Sequence, residues 1–323
     1  KYLVHVKGEW AGQPFVLQDW AANEIVRPLF GWKRADGLRR YRTAYVEVPR
    51  KSGKSTVAAG IGLYLLFVDQ EPGAEVYSVA VDRQQAAIVF DIAKSMVEAQ
   101  PSLNRRAEVF RRSITVPATG STYQVLSAEA FSKHGINAHG IIFDELHAQP
   151  NRELWDVLTT SIGARRQPVI FAITTAGYDR QSICWEVHDR ALKIRDGIIH
   201  DPSFLPVIYS LPEDENWTTD EALAKVNPGL GITVKLEYLQ NERTKAMEMP
   251  GYQNTFRRLH LNQWTEAVSR WLDMRIWADN GMPVGDMSKQ HCYAGLDLSS
   301  TTDLTALVLV FPGETYKVIP FFW

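Results

Sequence analysis

The sequence has little cysteine: two residues, Cys184 and Cys292, occur among 323 positions. They stand far apart, and neither belongs to a CxxC pair or to a histidine-rich cluster. This usage argues against a disulfide-stabilised scaffold and against a cysteine-based zinc site. It is typical of a protein that works in a reducing compartment.

Long hydrophobic runs and an excess of charge of one sign are also lacking. Although 45% of the residues are hydrophobic, no run approaches the roughly 20 residues of a membrane span, so we expect no membrane association. The formal net charge is −2, and contact with DNA would need local basic groups such as residues 39–42 or 111–112. Alternatively, these arginines form solvated faces.

The length of 323 residues is enough for one large domain with an appendage. The N-terminus has no signal of a charged stretch followed by an apolar one. Because the sequence begins without Met and stops at Trp323 within an apolar run, we expect it to be a fragment of a longer chain.

What the sequence does contain is a phosphate-binding signature in residues 43–66, TAYVEVPRKSGKSTVAAGIGLYLL, which predict a strand, a short loop and an apolar helix. In such a loop, backbone N–H groups surround the β-phosphate, the Lys bridges phosphates and the hydroxyl holds Mg²⁺, so Lys54 and Ser55 are the candidates. Val48 stands where the usual pattern begins with Gly. The triplet ending at Ser55 is also typical of an ordinary turn, but its flanks favour nucleotide binding.

An amide side chain precedes this loop. Residues 15–20, FVLQDW, lead into a helical pattern that we expect to end at Gly31. Gln18 can read the adenine edge by paired hydrogen bonds, or it can be a polar residue at a helix start. The spacing alone leaves both interpretations open.

A second decisive stretch is GIIFDE, residues 140–145, which predicts a central strand that delivers two carboxylates to the edge of a sheet. In a nucleotide site, Asp144 would hold Mg²⁺ through water or Ser55, and Glu145 would polarise the attacking water. Alone, the pair would more readily be a strand end followed by a helix cap. Its occurrence together with Lys54 favours hydrolysis.

The strand predicted over residues 167–175 ends in two hydroxyl side chains, Thr174 and Thr175. They can contact the γ-phosphate or its water and relay the nucleotide state. Equally, residues 174–177, TTAG, can be a simple strand end and turn.

The remaining patterns alternate, with a strand at 74–81, helices at 83–99 and 151–163, and a hairpin around Gly120. They predict an α/β fold with a mostly parallel sheet and helices on both faces. We predict an ATPase core over 1–200.

Beyond the core, residues 201–250 are rich in Pro and acidic residues, and 236–264 look helical, so we predict the end of the core and a lid or linker subdomain over 201–285. Residues 286–323 predict antiparallel strands that begin another domain. Within it, Asp297 is expected to be a buried carboxylate that needs a partner or a metal, whereas Asp303 suits a turn cap better.

Taken together, these motifs resemble the large terminase subunit of tailed bacteriophages, the ATPase that packages DNA into procapsids. The stretches that carry the resemblance cover most of the chain: FVLQDW, VPRKSGKST, SKHGINAHGIIFDELHA, TTAG and GLDLSSTTD. The resemblance implies a P-loop ATPase followed by the start of an RNase H-like nuclease. It also implies Arg50 as the early basic residue of a variant loop, acting as an arginine finger or sensor.

The resemblance further implies the ligands and partners. Asp297 would be the first metal ligand of the nuclease, whose remaining carboxylates are not in this chain, with Mg²⁺ or Mn²⁺. The expected partners are double-stranded DNA, the small terminase subunit and the portal protein, in a homo-oligomeric ring in the host cytoplasm. The residues expected to bind ATP and its Mg²⁺ are Gln18, Arg50, Ser52, Gly53, Lys54, Ser55, Thr56, Asp144, Thr174 and Thr175.

The chain departs from the resemblance at one place: many members carry Arg-Gly some ten residues before the acidic pair, where this chain has Lys133-His134-Gly135. Two alternative functions compete with this interpretation. A helicase-like ATPase would need a second nucleotide-binding domain with an arginine-rich motif, which is missing after Gly177. A nucleotide-dependent DNA-binding scaffold is motivated by Val48 and the low net charge.

Overall fold

The structure is a computed structural model that describes residues 3–126, 135–265, 274–299 and 304–323. The chain divides into two compact units, Lys1–Arg270 and Trp271–Trp323. The strands of the first unit are β1 (Thr43–Glu47), β2 (Glu75–Val79), β3 (Glu108–Val109), β4 (Ser113–Val116), β5 (Ser121–Leu126), β6 (Gly140–Asp144), β7 (Val169–Thr174) and β8 (Phe204–Ile208).

These strands form one eight-stranded sheet in the order β3-β4-β5-β2-β6-β7-β1-β8. From β5 to β8 all neighbours are parallel, and β3 and β4 extend the sheet by antiparallel pairing. β6 and β7 are buried along their whole length because they are apolar runs in the middle of the sheet. The C-terminal ends of β1, β6 and β7 therefore lie side by side at one edge.

Helices cover both faces of this sheet. The alternation along β1 shows why: Ala44 and Val46 pack in one core cluster with Val57 and Phe90, whereas Tyr45 packs in the other. The helices of the first unit are α1 (Arg27–Gly31), which follows a π-helical turn (Ala21–Val26), α2 (Lys54–Phe67), α3 (Arg83–Ala99), α4 (Pro101–Asn104), α5 (Glu153–Thr160), α6 (Ile183–Arg195), α7 (Asp220–Val226), α8 (Leu236–Glu248) and α9 (Pro250–His260). The predicted fold class is confirmed.

The region after residue 200 differs from the sequence prediction in two ways. β8, in the segment marked only by its Pro and acidic content, is a core strand that pairs in parallel with β1. The segment 236–264, predicted to be helical, forms two helices that end at His260, because Pro250 has no amide hydrogen to donate and begins the separate helix α9. Helices α7, α8 and α9 share a small core of their own around Leu223, Leu239 and Phe256.

The second unit contains α10 (Met274–Asp279) and a three-stranded antiparallel sheet in the order β11-β10-β9. Its strands are β9 (Tyr293–Asp297), β10 (Ala306–Phe311) and β11 (Lys317–Phe322), as the sequence predicted. No helix among the described residues is long and apolar enough to cross a membrane.

The basic residues 39–42 are not a uniform solvated face. The Arg39 side chain is buried, and its Nη2 lies 2.6 Å from Oδ1 of Asp69, whose other oxygen lies 2.7 Å from Nε2 of His139. The Arg39 side chain is therefore held in the domain interior and is not available to DNA. Arg111 and Arg112 are exposed.

Candidate nucleotide site

The phosphate-binding loop connects β1 to α2. Lys51 and Gly53 adopt the left-handed backbone region, with φ of 68° and 85°, and Gly53 is the residue before the helix begins. Val48, by contrast, is outside that region; it is buried, and its amide donates to the carbonyl of Thr174 (3.1 Å) as a continuation of the strand pairing. This explains why the position does not require the usual glycine.

The loop lysine lies against the second carboxylate of the acidic pair. Lys54 Nζ is 3.2 Å from Glu145 Oε1, and Glu145 Oε2 is 3.2 Å from His147 Nδ1. Burial alone would raise the pKa of Glu145, but Lys54 and His147 outweigh it and lower the pKa to about 2. Glu145 is therefore ionised at neutral pH, as a group that polarises water must be.

Asp144 has the opposite electrostatic environment. It ends β6, is almost fully buried, and its Oδ1 has no hydrogen-bond partner in the described part of the chain. Burial, together with the neighbouring charge of Glu145, raises its pKa to about 7. A cation bound beside such a carboxylate would stabilise its ionised form.

Thr174 and Thr175 both contact His147, which also contacts Glu145 of the acidic pair. His147 Nδ1 is 3.0 Å from Thr174 Oγ1 and 3.5 Å from Thr175 Oγ1, and the His147 amide donates to Thr174 Oγ1 (3.1 Å). Glu145 is held in the left-handed region, with φ of 49°. The end of β7 is thus joined to the turn that carries Glu145.

A cleft of about 750 Å³ opens beside the loop and is lined by Gln18, Ser52, Gly53 and Thr56. Gln18 accepts a hydrogen bond from Trp20 Nε1 (3.2 Å). A Cβ placed on Gly53 would lie 3.9 Å from Gln18 Nε2, so the amide adjoins the loop. The remaining walls include Trp10, Phe15, Val16, Ile232 and Thr233.

Arg50 is exposed at the start of the loop. Its amide donates to the carbonyl of Leu259 in α9 (2.8 Å). Burial lowers the pKa of the neighbouring His260 and Arg258, and the charge of Arg50 adds a smaller effect in the same direction. Among the described residues it has no ion-pair partner. Arg50 therefore lies on the side of the loop that faces α8 and α9.

Three other predictions concern Asp297, the position of Lys133 and His134, and Asp303. Asp297 ends the edge strand β9 and is exposed, so the expectation that it is buried is wrong; an edge strand has a neighbour on one side only. Lys133, His134 and Asp303 lie outside the described residues. Within the described residues, no group of at least three His, Cys, Asp or Glu side chains is arranged to hold a metal.

The residues at the phosphate loop fit a divalent metal ion. Asp144 Oδ1 and Ser52 Oγ are buried oxygens without a hydrogen-bond partner in the described part of the chain. Ser55 directly follows Lys54 in the first turn of α2. Carboxylate and hydroxyl oxygens are the hard ligands that Mg²⁺ prefers.

Sequence reasoning missed residues whose importance depends on contacts between distant segments. His147 had a local signal, since it follows Glu145 by two positions. Glu47, Asn262 and Trp264 had none, because only the folded chain brings residues 262–264 to the end of β1.

A parallel sheet, a lysine loop after β1 and an acidic pair ending β6 define a P-loop NTPase. Comparison with known proteins gives the family. Residues 22–192 match the model of the ATPase domain of the terminase large subunit, and residues 198–321 match that of its endonuclease domain. The chain belongs to the terminase large subunit family, as the sequence motifs indicated, and it carries domains of an enzyme.

Individual relatives agree. The terminase large subunit of Enterobacteria phage HK97 is 31% identical over 332 residues, which covers 100% of this chain and 63% of the relative. Its crystal structure matches with a TM-score of 0.72 at 29% identity, covering 100% of this chain and 66% of that one. Protein YmfN of Escherichia coli K12 is 29% identical, over 58% of this chain and 44% of its own length. The chain thus spans about half to two thirds of these relatives.

Proposed function

We propose that this chain is the ATP-hydrolysing part of a viral DNA-packaging motor that translocates double-stranded DNA into a procapsid. The proposed motor also carries a C-terminal metal-dependent endonuclease that cuts concatemeric DNA, with Asp297 as a ligand of Mg²⁺ or Mn²⁺. The observation that carries the proposal is the approach of Glu145 to Lys54 at the phosphate loop. The similarity to the phage HK97 protein over the whole chain supports it.

Each residue of the site has a proposed role in hydrolysis. Lys54 neutralises phosphate charge, and Ser52, Gly53 and Thr56 offer loop groups to the phosphates. Glu145, whose low pKa keeps it ionised, orients and polarises the attacking water.

The metal and the remaining nucleotide contacts follow the same logic. Ser55 and Asp144 hold Mg²⁺, which when bound supplies charge neutralisation at the phosphates. Gln18 reads adenine, and Arg50 stabilises charge that develops on the γ-phosphoryl group. Thr174 and Thr175 relay the nucleotide state through His147.

The proposed partners are those of packaging: double-stranded DNA, the small terminase subunit and the portal of the procapsid, with the motor assembled as a homo-oligomeric ring in the host cytoplasm. Neither a helicase-like ATPase nor a non-hydrolysing scaffold explains the match to both terminase domains.

A packaging reaction tests the proposal. Procapsids that carry the portal are incubated with linear DNA, ATP and the protein, and the DNA that becomes resistant to added DNase is measured. We expect ATP-dependent protection that is lost in Lys54→Ala. ATP hydrolysis without protection, but with strand separation of the duplex, would favour a helicase-like ATPase; an absence of hydrolysis would favour a scaffold.

A further inference from the structure

A fully buried carboxylate, Glu47, ends β1 immediately before the phosphate loop. Its Oε2 accepts hydrogen bonds from Tyr45 Oη (2.6 Å) and Trp264 Nε1 (3.3 Å) and lies 2.8 Å from His188 Nδ1. Its Oε1 accepts from Asn262 Nδ2 (3.3 Å). Burying a carboxylate is costly unless it is well bonded, and these four side chains supply the bonds. None of the proposed chemical steps uses it.

Asn262 connects three neighbouring strand ends. Besides donating to Glu47 at the end of β1, its Nδ2 donates to the carbonyl of Tyr209 (2.8 Å), just beyond β8. Its Oδ1 accepts from the amide of Ala176 (2.7 Å), just beyond β7. Its φ of 55° lies in the left-handed region, which asparagine adopts more readily than most residues. Both its side chain and its backbone suit this place.

Trp264 packs on the glycine that closes the threonine-rich turn. A Cβ placed on Gly177 would lie 2.8 Å from Trp264 Cζ3 and 3.5 Å from His147 Cβ. The amide of Thr265 donates to the carbonyl of Gly177 (3.4 Å). The absence of a side chain at Gly177 therefore lets the indole lie against the strand end, beside the histidine.

His147 in turn touches Glu145 and Thr174, at 3.2 Å and 3.0 Å from its Nδ1. We propose that Asn262 and Trp264 are positioning residues for ATP hydrolysis: they fix the turn after β7, and through His147 the carboxylate of Glu145, relative to the phosphate loop. The inference rests on the proposed function, because it takes Glu145 as the group that acts on the attacking water.

The first test changes the donor at residue 262, first alone and then together with the acceptor at residue 47, in the whole chain. Asn262→Asp keeps the left-handed backbone and the acceptor for Ala176 but places two carboxylates together. We expect kcat to fall about 10- to 100-fold, because small displacements of catalytic groups are costly, while KM and the Kd for a fluorescent ADP analogue stay within about twofold. Adding Glu47→Gln restores a donor facing residue 262 and should recover part of kcat. The recovery is partial because the carbonyl of Tyr209 still faces a carboxylate.

The second test disturbs the turn after β7 by changing the packing between Gly177 and Trp264. Gly177→Ala drives a methyl group into the indole of Trp264, so kcat should fall with nucleotide affinity unchanged, and Trp264→Phe in the same chain should relieve the overlap and raise kcat again. Gly31→Ala is the matched control, because a Cβ there has no atom within 4 Å and the residue is outside the left-handed region. Its kcat should equal that of the parent chain.

The outcomes separate the inference from the proposed function. If the parent chain itself fails to hydrolyse ATP, the proposed function is wrong. If the parent hydrolyses ATP but Asn262→Asp and Gly177→Ala keep full kcat, the positioning role is wrong. Loss of kcat and nucleotide affinity in step with a lower Tm, without recovery in either double variant, also overturns it, since that pattern reflects general destabilisation. Should Asn262→Asp not fold, the Gly177 and Trp264 pair decides.

Discussion

The ammonium group of Lys54 lies 3.2 Å from Glu145 Oε1, with 8% and 24% of the two side chains exposed. The same ammonium is proposed to contact the phosphates, so ATP binding would replace one anionic partner of Lys54 by another. The ion pair therefore links the group proposed to bind phosphate to the group proposed to act on water.

We expect Lys54→Ala to abolish ATP binding, and Glu145→Gln to keep it while turnover falls about 10²- to 10⁴-fold. Removal of the Glu145 charge frees Lys54 for the phosphates, so affinity should not decrease. Calorimetric titration with ATP and a phosphate-release assay measure the two effects. Lys51→Ala, in the same loop but exposed, is the control. Equal loss of binding in both variants would refute the assigned roles.

Arg50→Ala should lower kcat far more than it weakens nucleotide binding, by up to about 10³-fold if the guanidinium meets charge on the γ-phosphoryl group. Arg50→Lys retains the charge but not the planar fork and should recover only part of the rate. Steady-state kinetics with assembled rings distinguishes an arginine finger from a residue that only orders the loop. An unchanged kcat in Arg50→Ala would show that Arg50 only orders the loop.

Asp144→Asn should raise the stability of the nucleotide-free protein by about 1–3 kcal/mol, because a neutral amide replaces a buried carboxylate whose Oδ1 has no hydrogen-bond partner among the described residues. Turnover with Mg²⁺ and ATP should be lost. Asp69→Asn is the matched contrast: His139 and Arg39 outweigh burial and lower the pKa of Asp69, so this change should destabilise. Thermal unfolding of both variants at pH 8 gives the comparison, and destabilisation by Asp144→Asn would contradict the prediction.

Gln18→Ala should weaken ATP binding by about tenfold and GTP binding less, since a lost pair of hydrogen bonds to adenine affects only the nucleotide that makes them. Gln13→Ala changes another amide on the same cleft and serves as the control. Competition of each nucleotide against a fluorescent analogue measures the ratio. An equal loss for ATP and GTP would show that Gln18 does not read the base.

Stability should fall as the pH drops from about 6.5 to about 4, because burial lowers the pKa of His260 to about 4 from an ordinary value of 6.5. In that window the unfolded chain binds a proton that the folded chain does not, and above it the two states are equally protonated. The full effect is about 3 kcal/mol. His260→Gln should flatten the dependence of Tm on pH, whereas His200→Gln, at an exposed position, should not.

The predictable part of the fold consists of elements whose signal is local. β6 and β7 are apolar runs bounded by polar residues, and the helix α2 begins within a GKS triplet, at Lys54, so their place and type were predictable. β8 was not: its Pro206 and acidic surroundings resemble a linker, and pairing with β1 overrides that composition. The break at Pro250 carried a local signal that the helical periodicity obscured.

The sequence by itself determined the family and the α/β class and predicted the residues of the nucleotide site, because strand, loop and acidic pair are short motifs with fixed chemistry. Their arrangement was decided by the tertiary structure. Adjacent β6, β7 and β1 place Glu145 beside Lys54 and His147 beside Thr174, although these residues are far apart along the chain. The bonds of Asn262 to three strand ends also depend on the fold, because hydrogen bonds between distant segments leave no pattern in a single sequence.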